Sequence, residues 1–492
     1  MRKRFYSLVL MVAGLLCSTS MWADNVAKIV ETGNEYTTLS TAVSNAASGQ
    51  TIQLLDNVEG SGTLMTISKN LKLDLGEYFL TNTLDAGEGR EANNNQPAII
   101  VNANCSLTVD ATTGGINANN NPAFAVNAGS NLTINGGEYL EDGDNCRYAL
   151  FHIAGSSSSN LPSITINGGT YRGQRQYRYG TIIHIDQACN LTINGGDFST
   201  ISLAETKSNG NQGGLIVATN ASSPKNITIT DGKFELDYAG ASNAGQSPMN
   251  QTWACVDYRS KKGTISISGG DFINKITKCE NASQKSCALY IYDLADQVNI
   301  TGGTFKSYGC ACRIYASSVN VDKVGLTNTS FISETGVALI LMAFSNQEYN
   351  IKGGSFSGTQ GILAFGYEES DKITVNITNC AINASSCGVT LQGRGEVNIL
   401  GGSIESEGIG ARFFQGSSCS KNGTINIGGS ASIKAGTYGV KNDQGTINIT
   451  GGRIWGETNS VFNVKYLECA GLQGTVEVTG GVFNNRPVPD DY

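Results

Sequence analysis

Between Leu132 and Phe483 one phrase returns again and again. Two apolar residues alternate with Thr or Asn, a polar residue follows, then Gly-Gly, one polar residue, and an aromatic or aliphatic side chain. It reads LTINGGEY at Leu132, ITINGGTY at Ile164, LTINGGDF at Leu191, ISISGGDF at Ile265 and VNITGGTF at Val298. Further copies begin at Tyr349, Val397, Ile447 and Val476, with weaker ones at Ile227, Val375 and Ile425. A phrase recurring about every 29 residues is one coil of a solenoid, because each unit buries its apolar face only against its neighbours.

The phrase also dictates the local structure. In Leu132-Thr133-Ile134-Asn135 the apolar residues alternate with period two, which predicts a strand with Leu132 and Ile134 facing in. Gly136-Gly137 supplies the backbone of a sharp corner, and Tyr139 returns to the core. A second strand follows a variable loop, as ALFHIA at Ala149, TIIHID at Thr181, GLIVAT at Gly214, ALYIYD at Ala288, ALILMA at Ala338 and GVTLQG at Gly388. Two or three short strands per coil, all running one way, make a parallel β-helix of about 13–15 coils. The outward residues Thr133, Thr165, Thr192, Thr228, Ser266, Asn299, Asn350, Asn376, Asn398, Asn426 and Asn448 would form a row with hydroxyls and amides bonded along the axis. The Asn-x-Ser/Thr triplets at Asn131, Asn190, Asn226, Asn299, Asn376 and Asn448 follow from the repeat and fall in strands, a poor setting for glycosylation.

The ends are of other kinds. Residues 1–23 read as an export signal, with Arg2, Lys3 and Arg4 before an apolar run from Leu8 to Leu16 and Ala23 at the cut. Residues 24–60 read as an N-terminal cap and first strand, 61–483 as the solenoid and 484–492 as a tail. In the cap, Thr38 is placed to start a short helix with Leu39, Ala42, Val43, Ala46 and Ala47 on one face, shielding the open strand edge. Thr51 to Leu55 and Leu71 to Leu75 follow as the first strands. No second stretch is long and apolar enough to span a bilayer. Loss of the signal takes the formal charge from -8 to about -11, which argues against nucleic acid and anionic membranes as partners. Twelve Cys remain after Cys17 leaves; they are read either as stacked core thiols or as disulfides. With only His152 and His184 and no paired CxxC, no metal or cofactor is expected.

The opening residues Tyr36, Leu39, Ala42, Gly49, Thr51 and Ile52, and the repeats that follow, resemble the right-handed parallel β-helix superfamily typified by pectate lyases and polygalacturonases. The resemblance covers nearly the whole chain after the signal and implies an all-β, right-handed solenoid. That superfamily contains lyases, glycosidases and adhesins, so the fold does not choose the function. The glycosidase pattern includes a Gly-His-Gly, which is missing here. The single Asp-Asp pair, Asp490-Asp491, is in the tail, and the lyase Arg-x-Pro-x-x-Arg is absent.

One segment departs from the polar background. Tyr171-Arg172-Gly173-Gln174-Arg175-Gln176-Tyr177-Arg178-Tyr179 brings three Arg and three Tyr into an acidic protein, just before His184 and Asp186. Asp257 and Arg259, Tyr290, Tyr292 and Asp293, then Arg313 and Tyr315, come from later coils and would line one side of the solenoid. Arg forks bind carboxylates and Tyr rings stack on sugars, so these residues form a candidate groove for an acidic polysaccharide or cell-surface glycan. The chain is accordingly expected to be an exported adhesion, glycan-binding or structural protein without turnover. The alternative is a polysaccharide lyase or glycosidase at residues 171–315, with His184, Asp186 or Tyr177 moving the proton. The plainer account of the same loop is a solvated segment whose Arg side chains pair with Glu141, Asp142 or Asp144.

Overall fold

A computed structural model describes residues 24–84, 96–141, 149–153, 159–174, 182–201, 213–219, 222–237, 253–276, 286–316, 318–321, 329–343, 346–366, 372–414, 423–464 and 474–485. Over these residues the protein is an all-β parallel solenoid with one helix. Each coil contributes to three parallel ladders. The strand of the repeated phrase, such as Asn131–Ile134, pairs with Ser106–Ala111 before it and Ser163–Ile166 after it and forms the first face. The strand after the Gly-Gly corner, such as Glu138–Glu141, pairs with Gly115–Asn117 and Thr170–Gln174 and forms the second. Phe151–Ile153 pairs with Phe124–Val126 and Ile183–Ile185 on the third. In two coils the second and third strands run on as Ser355–Gly366 and Cys380–Gly393.

The register matches like with like: Leu132 lies between Leu107 and Ile164, and Tyr139 between Ile116 and Tyr171. Among the described residues the first face holds eighteen strands, of which Ala27–Ile29 and Glu35–Tyr36 are antiparallel, leaving sixteen parallel rungs. That is one rung more than the upper end of the expected range. Two rungs are disguised in the sequence. Ser106–Ala111 is separated from Gly114-Gly115 by extra residues, and Ser318–Val321, which has no Gly-Gly after it, fills the gap between Val298 and Tyr349.

Inside, aromatic rings stack from Tyr139 through Tyr171, Phe198, Phe234, Phe272, Phe305 and Phe331 to Phe356, with centroids 4.5 to 5.1 Å apart and planes within 11°. Each such pair contributes about 0.5–1.5 kcal/mol beyond its burial. Beyond Phe356 the same position holds Ile382, Ile404, Ile433 and Ile454, all buried. At the Gly168-Gly169 corner the second glycine is the demanding one. Gly169 has φ +108°, and a Cβ there would lie 2.9 Å from the carbonyl oxygen of Gly137 in the preceding coil. At Gly168 the nearest atom would be 3.5 Å away.

On the outer surface of the first face, amides donate along the axis. Asn376 bonds to Asn350, Asn398 to Asn376, Asn426 to Asn398 and Asn448 to Asn426, at 2.7 to 2.9 Å. A parallel chain of bonds runs through Asn135, Asn167 and Asn194 at the strand ends. At the N-terminus Thr38 accepts from the amide of Thr41 and caps the helix Leu39–Asn45, which buries Leu39, Ala42 and Val43, followed by buried Ala46. Ala47, expected on the same face, is exposed, because the helix ends at Asn45 and the chain turns outward. Among the described residues no helix is long and apolar enough to cross a membrane. The eight described cysteines are all buried and unbridged; Cys287 and Cys310 are even register partners.

Candidate functional site

The third face brings distant sequence positions into two outward rows. The first contains His152, His184, Val217, Asp257, Tyr290, Arg313 and Ile340, each the register partner of the next. The second, two residues further along each strand, contains Asp186, Thr219, Arg259, Tyr292, Tyr315 and Met342. So His184, Asp186, Asp257, Arg259, Tyr290, Tyr292 and Arg313, separated by up to 129 positions in sequence, do line one side of the solenoid.

Their polar groups are turned on one another. Arg259 grips Asp257 with both Nε and Nη2, at 2.7 and 2.9 Å, and lies 5.3 Å from the Tyr290 ring centroid. Asp257 is fully buried and Tyr290 is 4% exposed. Burial pulls the Arg259 guanidinium toward losing its proton, but the Asp257 carboxylate outweighs this and holds it charged. Arg313 donates to the Tyr315 hydroxyl at 2.9 Å and sits over the same ring, while Tyr292 packs edge-on against Tyr315 and flat on Tyr290. Ala254, Cys287, Cys310, Ile340 and Met342 complete a small apolar cluster around these rings. A uronate approaching Arg259 would have to displace a buried carboxylate, and breaking such a pair costs about 3–5 kcal/mol.

The histidines stand one coil apart with parallel rings at 6.3 Å. Thr219 lies 3.3 Å from His184 Nε2 and donates to Asp186 at 3.0 Å. Burial, helped by the neighbouring His152, lowers the His184 pKa to about 4, and burial lowers that of His152 as well. Both rings are therefore neutral at neutral pH. Beyond this row, Lys225 is fully buried beside its register partner Cys189; burial takes its pKa down to about 8 and that of the Cys189 thiol up to about 12. Nothing in the sequence pattern distinguished this lysine.

Two of the expected ligand-binding residues take other places. Tyr171 is fully buried in the ring stack and donates its hydroxyl to the Gly168 carbonyl at 2.7 Å, because it occupies the core position of the phrase, as Tyr139 does. Arg172 is exposed on the second face, 3.8 Å from Glu138, and so is separated from the third-face rows. Arg175, Tyr177, Arg178 and Tyr179 lie outside the described residues, as does the side chain of Asp293.

A different place on the molecule is open. A groove of about 640 Å³ runs along the corner between the second and third faces, across six coils. One side is an outward register row, Ser357, Asn383, Glu405, Lys434 and Trp455. The other is the corner itself, with Glu334, Thr359, Ser385, Glu407 and Glu457. At the strand-to-strand spacing of parallel sheets, six coils extend roughly 24 Å. Small residues, Gly358, Ala384, Ala435 and Gly436, make the floor, and the long strands Ser355–Gly366 and Cys380–Gly393 carry the chain past the corner beneath it. Trp455 stands at one end, 52% exposed. At the other end Lys306 pairs with Glu334 at 3.4 Å. The sequence signal was present but faint: Glu405, Lys434 and Trp455 each follow the buried Ile of their corner strand, so all three had to face out together.

Among the described residues, no group of three or more His, Cys, Asp or Glu could hold a metal ion. Comparison with known proteins gave no matching family model, no similar curated protein and no similar solved structure.

Proposed function

We propose that this chain is an exported relative of the right-handed, pectate lyase-like β-helix proteins, and that it binds a glycan at the cell surface without turning it over. The observation that carries the reading is Trp455. A large aromatic ring left half in water, at the end of a groove otherwise built from small and polar residues, with Ser, Thr, Asn and Glu beside one Lys, is the arrangement that stacks on the apolar face of a sugar ring while hydroxyls bond to amides and carboxylates. The groove follows the solenoid axis, so a linear glycan laid in it meets the same two rows at every coil. The third-face rows support a structural role, since Arg259 is taken up by Asp257 and Arg313 by Tyr315.

The test is a glycan array probed with residues 24–492 and with Trp455→Ala. Stacking of a flat ligand ring on an exposed aromatic side chain is worth about 1–3 kcal/mol, so the variant should bind roughly five- to 150-fold more weakly. Binding that survives the substitution unchanged would remove the groove from the argument.

A further inference from the structure

We propose that the groove is selective for glycans carrying free, protonated amines and disfavours uronic-acid glycans; this rests on the glycan-binding reading above. The cavity and its exposed indole make the site, and the charges around the indole set its preference. Lys434 is the immediate register neighbour of Trp455, and Glu405 is the next rung along the same row. Glu407 and Glu457 stand on the corner opposite. At the Trp455 end the lining thus carries three carboxylates against one ammonium. Glu334, the remaining carboxylate, is held by Lys306 at the far end.

An ammonium group is the ligand chemistry that uses both halves of this arrangement. It is attracted to the face of an indole, best of all the aromatic side chains, and it forms charge-assisted hydrogen bonds with carboxylates. Glu405 and Trp455 are two rungs apart, roughly 10 Å, as are the corner carboxylates Glu407 and Glu457 on their side. A chain of amino sugars lying along the axis would therefore pass a carboxylate on each wall as it reaches the ring. A uronate in the same position brings a like charge to Glu405, Glu407 and Glu457, with Lys434 alone to receive it.

The probes are a glucosamine hexamer with free amines, its fully N-acetylated form, and a galacturonate hexamer, titrated calorimetrically at pH 6 into the 24–492 chain. The free-amine hexamer is expected to bind at least tenfold more tightly than the acetylated one in 50 mM salt, with the gap closing in 0.5 M salt, where charge interactions are screened. The galacturonate hexamer is expected to be the weakest. The triple variant Glu405→Gln, Glu407→Gln, Glu457→Gln changes exposed side chains only. It should lose the preference while still binding the acetylated hexamer, and Trp455→Ala should weaken both. Equal, Trp455-dependent binding of the free-amine and acetylated hexamers would overturn the selectivity and leave the glycan reading standing. A triple variant that keeps the preference would overturn it too, by assigning the effect to the acidity of the whole chain. If no hexamer binds, both readings fall.

Discussion

His184 shows how much one buried side chain can impose on this fold. An imidazole in the unfolded chain takes up its proton near pH 6.5, whereas in the folded chain burial delays this to about pH 4. Between those values the unfolded state binds more protons, so stability falls as pH drops from 6.5 to 4, by up to about 1.4 kcal/mol per pH unit for this group. His152 adds in the same direction. Replacing His184 by Gln should flatten the decline. Denaturation midpoints at pH 7 and pH 4.5 would converge in the variant relative to the parent, and an unchanged difference would show that the ring titrates freely. The same scale explains Trp455, whose exposure is the reverse case: a side chain with a strong preference for burial left facing solvent.

At the scale of the element, the local approach of the preceding coil decides which glycine of a corner is needed, and it differs from corner to corner. Within the pair Gly168-Gly169, only the second has the left-handed backbone, and only there would a methyl group meet the carbonyl of the previous coil. Gly169→Ala is expected to cost about 1–3 kcal/mol, whereas Gly168→Ala should cost less than about 1 kcal/mol. Thermal unfolding of the two variants side by side checks this, and equal losses would place the constraint elsewhere. The strands between corners are held by a different device. The Asn350 to Asn448 amides form one continuous line of side-chain hydrogen bonds, so the Nδ2 groups of Asn376, Asn398, Asn426 and Asn448 are already in use as donors. The Asn-x-Thr triplets at Asn376 and Asn448 are for that reason poorly placed for a glycan.

For the molecule as a whole, every strand of the solenoid pairs only with the coils beside it, and a longer reach such as the Asn160 to Asn104 side-chain bond across two coils is the exception. Damage should remain local. Phe272 lies between Phe234 and Phe305 in the ring stack, and Phe272→Ala should cost about 3–5 kcal/mol. Amide exchange is then expected to quicken in Lys233–Leu236 and Gly303–Ser307 by roughly a hundredfold or more, and to stay near its parent rate in Arg453–Gly456. Uniform acceleration along the chain would mean that the solenoid opens as a single unit.

What the amino-acid order determined by itself was the coil. Alternation of Leu or Ile with Thr or Asn, followed by Gly-Gly and an aromatic, leaves no other way to bury every second residue, and it marks the inward rows, the corners and the helix capped by Thr38. The rungs at Ser106 and Ser318 are hidden in the sequence because they keep the alternation but lose the Gly-Gly spacing. Which outward residues work together was a matter for the tertiary structure. Loops of unequal length separate successive strands, so the register that sets Arg259 on Asp257, Tyr171 in the core, and Trp455 in line with Lys434 and Glu405 exists only once the coils are stacked. Outward positions obey no burial rule of their own. Whether such a residue is closed off by a neighbour or left open in a groove depends on the side chains one rung above and below it.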